Sequence, residues 1–183
     1  MSKIAVFLAE GFEEIEGLTV VDILRRAKIE ATTVSITGKR EVTGSHGICV
    51  MADRLFEEVS FEQYDGLVLP GGMPGADNLA EHLGLNEQLK IFVKEKKLVA
   101  AICAAPLVLG RAGVLKGRKA VCYPGYEKEL IGAKVAYDGV VVDGNLITSR
   151  GMGKAIRFSL TLVEYLMDTK TADSIKESII YED

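Results

Sequence analysis

Histidine and cysteine are scarce: the 183 residues hold two of the first and three of the second. The thiols, Cys49, Cys103 and Cys122, form neither an even disulfide framework nor a C-x-x-C pair. Reduced cysteines in a cytoplasmic protein are therefore the simplest expectation. The histidines, His46 and His82, join no run of cysteine and carboxylate at metal-ligand spacing, so neither a metal nor another cofactor is implied. An excess of basic charge is also missing, since 22 Lys and Arg face 26 Asp and Glu for a net charge of -4. That balance disfavours wrapping around nucleic-acid phosphates. The longest apolar run, Leu98 to Gly110, is broken by Pro106 and falls short of the roughly 20 residues that span a bilayer. Met1-Ser2-Lys3 enters an apolar pattern without a small-residue cleavage site, so no secretory signal is expected. No internal repeat, low-complexity stretch or linker is present.

What the chain does carry is ordinary globular composition, 48% hydrophobic and 26% charged, over a length that predicts one domain, residues 1–183. Lys3 to Ala9 is a short apolar run of the buried-strand kind. From Glu14 the spacing becomes helical through Ile15, Leu18, Val21, Ile23 and Leu24, and Arg25-Arg26 suit the negative end of that helix. Ile29 to Ile36 is β-branched and strand-like, with Gly38 marking the turn behind it. His46 to Met51 and Gly66 to Leu69 read as further strands, the second running into Pro70-Gly71-Gly72. Ala76 to Lys97 is helical with a break at Gly84. Leu98 to Ile102 is a strand, and Ala105 to Ala112 a helix directly behind it. Asp138-Gly139 and Asp143-Gly144 bracket Val140 to Val142 as one arm of a hairpin, with Leu146 to Thr148 returning. Lys154 to Met167 is a closing amphipathic helix. Strands alternating with helices predict a mostly parallel sheet with helices on both faces, a three-layer α/β sandwich. Sites in such sheets lie beyond the carboxyl ends of the strands, which points to residues 10–17, 70–76 and 103–106.

Cys103 is the leading chemical candidate. Strand Leu98–Ile102 leads straight to it and a helix leaves at once, so free backbone N–H groups at that corner favour a thiolate. The small neighbours Ala100, Ala101, Ala104 and Ala105 leave room for the sharp turn of a nucleophile elbow. A cysteine packed as a small hydrophobe is the plainer alternative. Glu13 and Glu14 suit the positive end of a helix, where each contributes roughly 0.3–1 kcal/mol. Glu16 lies further in, and if it reaches Cys103, burial favours its protonated form, a donor to the sulfur. Pro70-Gly71-Gly72 is either a tight turn or a backbone oxyanion site, and it lacks the spacing of a phosphate loop. His82 reads as a surface residue, whereas His46 opens a strand and is ambiguous, a candidate to line the site. Cys49 and Cys122 read as core residues in strands.

Five segments in order carry a resemblance. They are Ala9-x-Gly11-x-Glu13-Glu14-x-Glu16, Asp22-x-x-Arg25-Arg26-Ala27, Asp65-x-x-Val68-Leu69-Pro70-Gly71-Gly72, Ala100-Ala101-Ile102-Cys103-Ala104-Ala105-Pro106 and Thr148-Ser149-Arg150-Gly151-x-Gly153. Together they resemble the ThiJ/PfpI family, in particular the branch of the parkinsonism-associated protein deglycase and YajL-like bacterial proteins. The resemblance implies a flavodoxin-like sandwich, similar to the class I glutamine amidotransferase-like fold, and a homodimer. It makes Cys103 the nucleophile, Glu16 its protonated partner, and Gly72 and Ala104 backbone oxyanion donors, and it sets Arg26 near an anion pocket at the dimer interface. Three positions depart from the family pattern. Tyr123 stands before Pro124 where a histidine is common, Ala104 follows the cysteine where peptidase-like members carry histidine, and Met152 replaces a frequent proline.

The function so implied is a cysteine-thiolate protein of the oxidative and carbonyl-stress response, acting on a small aldehyde or on modified protein side chains in the manner of a glyoxalase or deglycase. A non-enzymatic redox sensor or chaperone, working through oxidation of Cys103, is the first alternative. A cysteine peptidase or amidotransferase-like hydrolase is the second, and it needs a histidine brought to Cys103 by the fold.

Overall fold

The computed structural model describes residues 2–182. Its main sheet grows from short apolar runs. β1 (Lys3–Leu8) leads to α1 (Glu14–Arg26) and β2 (Glu30–Ser35), followed by β3 (Glu41–Thr43), β4 (Cys49–Met51) and β5 (Arg54–Leu55). Then come β6 (Gly66–Leu69), α2 (Gly75–Glu81), α3 (Leu83–Lys94), β7 (Leu98–Ile102) and α4 (Pro106–Arg111). The chain ends with β8 (Lys119–Ala120), β9 (Lys134–Val135), β10 (Val140–Asp143), β11 (Leu146–Ser149), α5 (Ala155–Leu166) and α6 (Thr169–Ser178). Seven strands form the main sheet in the order β10-β11-β7-β6-β1-β2-β5. Every pairing in it is parallel except β10 with β11.

The period-2 pleat sorts the strand residues between two cores. Ala5, Phe7, Leu67, Leu69, Val99 and Ala101 face Leu79, Leu85, Leu89, Phe92 and Leu107 of α2, α3 and α4. Ile4, Val6, Val68, Ala100, Ile102 and Ile147 face Val20, Leu24, Phe158, Leu162 and Ile175 of α1, α5 and α6. The expected three-layer α/β sandwich is the fold observed. Among the described residues no helix is long and apolar enough to cross a membrane.

Several local expectations change. Three-residue β3, in the hairpin β3–β4, has too short a pattern to show in the sequence. The break between α2 and α3 falls at His82, not Gly84. His82 is not a surface residue: half-buried, it caps α3 by accepting the Leu85 N–H at Nδ1, 3.0 Å away. Its ring lies 4.4 Å from that of Phe56, and desolvation lowers its pKa. His46 lies in the turn before β4, not at the start of a strand. Cys49 is in β4 but exposed, and Cys122 is buried but outside any strand.

The strand order reverses between β1 and β6, because the chain runs from β1 outward to β2 and later returns to build β6, β7 and β11 on the other side. Loops leaving the carboxyl ends at such a switch point form a crevice. Glu16 follows β1, Gly71 and Gly72 follow β6, and Cys103 follows β7.

Candidate active site

Cys103 occupies the left-handed region with φ 65°, a conformation that costs a non-glycine residue roughly 1–3 kcal/mol. The surrounding backbone imposes it. Cys103 N–H donates to Ser149 C=O at 2.9 Å, its own C=O accepts the Tyr123 N–H at 2.7 Å, and Ala105 N–H closes a turn onto Ile102 C=O. The elbow leaves the thiol half-buried rather than sealed in the core.

Glu16 is fully buried on the first turns of α1 and faces the same elbow. The Gly71 N–H donates to its Oε2 at 2.8 Å, while Oε1 is buried without a hydrogen-bond partner. The thiol of Cys103 interacts with this carboxyl without closing a bond of ordinary geometry to the orphan oxygen. Gly71 must be glycine for this meeting to occur: a Cβ there would lie 2.7 Å from both Cys103 Cβ and Glu16 Oε2. Gly72 combines φ 87° with a Cβ position that would collide with the Glu13 backbone nitrogen.

The electrostatics set burial against the backbone N–H groups. The N–H groups of Ala104 and Gly72 do bear on the sulfur and favour its thiolate, but burial outweighs them. With the negative charge of Glu16 added, the thiol is pushed up to about 12. Burial also pushes Glu16 up, to about 7, against the pull of the Gly71 N–H and the thiol. Two acids in one dry corner exclude a double charge, so the pair holds a single negative charge near neutral pH. Glu16, raised toward 7 by burial, can exchange the remaining proton with the thiol near neutral pH. Moving the proton from Sγ to Glu16 gives the thiolate beside a carboxylic acid, which then has a donor to offer.

The other candidates divide. The Tyr123 ring stands at the mouth of the site, next to Gly151 and Cys103, and half of its surface is open. Met152 is exposed and opens the 3-10 turn behind Gly151. Arg26 is not brought to this pocket. It sits at the far end of α1, roughly 15 Å along the axis from Glu16, and pairs with Asp22 at 2.7 Å. His46 turns to Glu14, not to the thiol. Among the described residues neither histidine hydrogen-bonds Cys103, so this chain by itself gives the hydrolase alternative no histidine base.

Glu14 is more than a residue suited to the helix dipole. It is buried, and its Oε1 accepts the N–H groups of His46 at 2.8 Å and Ile48 at 3.3 Å. Burial opposes its charge, but these donors, its own N–H and the His46 ring hold it at about 2. Glu13, Glu14 and His46 bring potential metal-ligand atoms within 4.8 Å of one another, a convergence their sequence spacing does not suggest. The hydrogen bonds pinning the β3–β4 turn onto α1 account for it.

Residues 2–165 match the DJ-1/PfpI family. A Parkinson disease protein 7 homolog of Danio rerio is 38% identical over 182 residues, covering 97% of this chain and 96% of its own. A deglycase of Pyrococcus abyssi is 36% identical over 170 residues, covering 90% of this chain and 99% of its own. The solved structure of oxidized Toxoplasma gondii DJ-1 superposes with a TM-score of 0.96 at 38% identity, both chains being covered in full. The chain spans 41% and 45% of the length of two Arabidopsis thaliana relatives, Protein DJ-1 homolog B and homolog A.

Proposed function

Because the chain belongs to the DJ-1/PfpI family, we propose that it is a cysteine-dependent protein of the oxidative and carbonyl-stress response whose Cys103 attacks small reactive aldehydes or their adducts on protein side chains. The observation that carries this reading is a half-buried cysteine beside a buried carboxyl of pKa about 7. The similarity to a Pyrococcus abyssi deglycase supports it.

On methylglyoxal, Glu16 takes the Sγ proton as sulfur bonds to the aldehyde carbon, and returns it to the new alkoxide. Backbone N–H groups of Gly72 and Ala104 face the charge that develops. Moving the remaining hydrogen of that carbon, as a proton through an enediol, to the neighbouring carbonyl carbon yields a thioester. Water then cleaves the thioester to lactate and restores the thiol. The sum is methylglyoxal plus water giving lactate, with no outside oxidant. The test follows lactate formation by wild type and Cys103→Ser: loss of activity in the variant is expected, and equal rates would refute the proposal.

A redox-sensing role is the second reading, favoured by the oxidized form in which the Toxoplasma gondii relative was solved. Peroxide would carry Cys103 to the sulfenic and sulfinic acids. Mass spectrometry after mild oxidation tests it, and oxygen gained at Cys49 and Cys122 ahead of Cys103 would end it. Ile15, Leu18, Ile48 and Met51, all exposed on α1 and the β3–β4 hairpin, support a homodimer covering that face. Sedimentation of a monomer at micromolar concentration would contradict it.

A further inference from the structure

Gly151 lies against both the sulfur and an aromatic ring. A Cβ built on Gly151 would sit 3.9 Å from Cys103 Sγ, 3.3 Å from Tyr123 Cδ2 and 3.8 Å from Tyr123 Cε2. All are van der Waals distances or slightly tighter, so Gly151 lies in contact range of both the reacting sulfur and the tyrosine edge, and a side chain there would crowd them.

Gly151, Cys103 and Tyr123 are tied to one another through backbone. Tyr123 N–H donates to Cys103 C=O at 2.7 Å and Cys103 N–H to Ser149 C=O at 2.9 Å, two residues before Gly151. Lys154 N–H donates to Gly151 C=O at 2.8 Å. Upstream, the Val121 N–H donates to Thr148 Oγ1 at 3.0 Å. The Tyr126 ring backs that of Tyr123 edge-on, with centroids 6.5 Å apart. The backbone that carries Tyr123 is tied to the elbow, and the Tyr126 ring behind it limits how far the Tyr123 ring can swing, so the ring is a wall that selects by size.

We propose that Tyr123 and Gly151 set the size limit of the Cys103 site, admitting compact, unbranched α-oxoaldehydes and excluding aryl or branched ones. The ring of Tyr123 acts as a steric wall, and its hydroxyl is not required. This rests on Cys103 being the reacting atom, as in the function proposed above.

Alkylation of Cys103 tests it without turnover. In a Cys49→Ser background, which removes the exposed thiol, second-order rates with iodoacetamide and with N-phenylmaleimide are read by mass spectrometry of the Cys103 peptide. Tyr123→Ala raises the maleimide-to-iodoacetamide rate ratio about tenfold, the discrimination typical of a pocket gaining a small apolar volume. Tyr123→Phe keeps the wild-type ratio. Gly151→Ala, which places a methyl against the sulfur and the ring, slows iodoacetamide about tenfold. An unmoved ratio in Tyr123→Ala, a shift in Tyr123→Phe as large as in Tyr123→Ala, or an unaffected Gly151→Ala rate would each overturn the proposal. If Tyr123→Ala does not fold, the Tyr123→Phe and Gly151→Ala arms still decide. Absence of lactate from wild type would remove the aldehyde reading while leaving these rates intact, so the two failures are distinguishable.

Discussion

Replacing Glu16 with glutamine makes the fold more stable at neutral pH, and the size of the gain follows from one carboxyl. Glu16 titrates at about 7 in the folded protein against 4.5 for an unperturbed glutamate, because burial disfavours its charge. Between those values the folded chain holds a proton that the unfolded chain has released. Stability therefore falls as pH rises through that window and levels off above about 7. At 1.36 kcal/mol per unit, the difference amounts to about 3 kcal/mol. Glutamine mimics the protonated acid: its carbonyl still accepts the Gly71 N–H, and its amide offers a donor toward the orphan side of the pocket. Wild type and Glu16→Gln should accordingly be close in stability near pH 4.5 and diverge by about 3 kcal/mol near pH 7.5. Urea denaturation followed by circular dichroism across that range, at one protein concentration, reads the difference. Glu14 titrates in the opposite sense but cancels between the two proteins. A stability difference that does not change with pH would refute the reasoning.

Gly71→Ala pushes a Cβ to 2.7 Å from Cys103 Cβ and from Glu16 Oε2, so it should destabilise the fold by about 1–3 kcal/mol. Cys103 alkylation should slow in the same variant; a wild-type rate and midpoint would contradict the geometry. Glu14→Ala strips the acceptor from the His46 and Ile48 N–H groups and should cost about 1–3 kcal/mol. Hydrogen exchange at those two amides should accelerate in this variant. Because the Glu14 carboxyl is held down at about 2, its contribution is present above about pH 4.5 and is lost as pH falls toward 2. A wild-type acid-denaturation profile in Glu14→Ala would count against that.

Legibility in the sequence tracked how local each cause was. β6 and β7 were readable to the residue because Gly66–Leu69 and Leu98–Ile102 are apolar runs ended by Pro70 and by the Cys103 corner. The hairpin β10–β11 announced itself through two Asp-Gly pairs. By contrast α6 is mostly polar, and its start rests on a single cap, Asp168 Oδ1 accepting the Thr171 N–H at 2.7 Å. The helix break at His82 was hidden because capping by an imidazole leaves less trace than a glycine. Glu14 looked like a helix-end acid because nothing in its neighbourhood shows that the turn holding His46 folds back 32 residues later. At the site, the loops bearing Glu16, Gly72 and Cys103 could be named from the alternation of strands and helices. The balance between burial and backbone N–H groups at the sulfur could not, since it depends on how deep the elbow sits.

The shared proton of Cys103 and Glu16 is the point on which the chemistry turns. It is tested most directly by the pH profile of Cys103 alkylation with iodoacetamide, in wild type and in Glu16→Gln. Wild-type reactivity should rise through a pH near 7, where Glu16 becomes the base that takes the thiol proton. In Glu16→Gln that rise should move above the ordinary thiol value of about 8.5, with reactivity at pH 7 falling about tenfold or more. Identical profiles for the two proteins, both rising only near 8.5, would show a thiol that owes nothing to the carboxyl beside it.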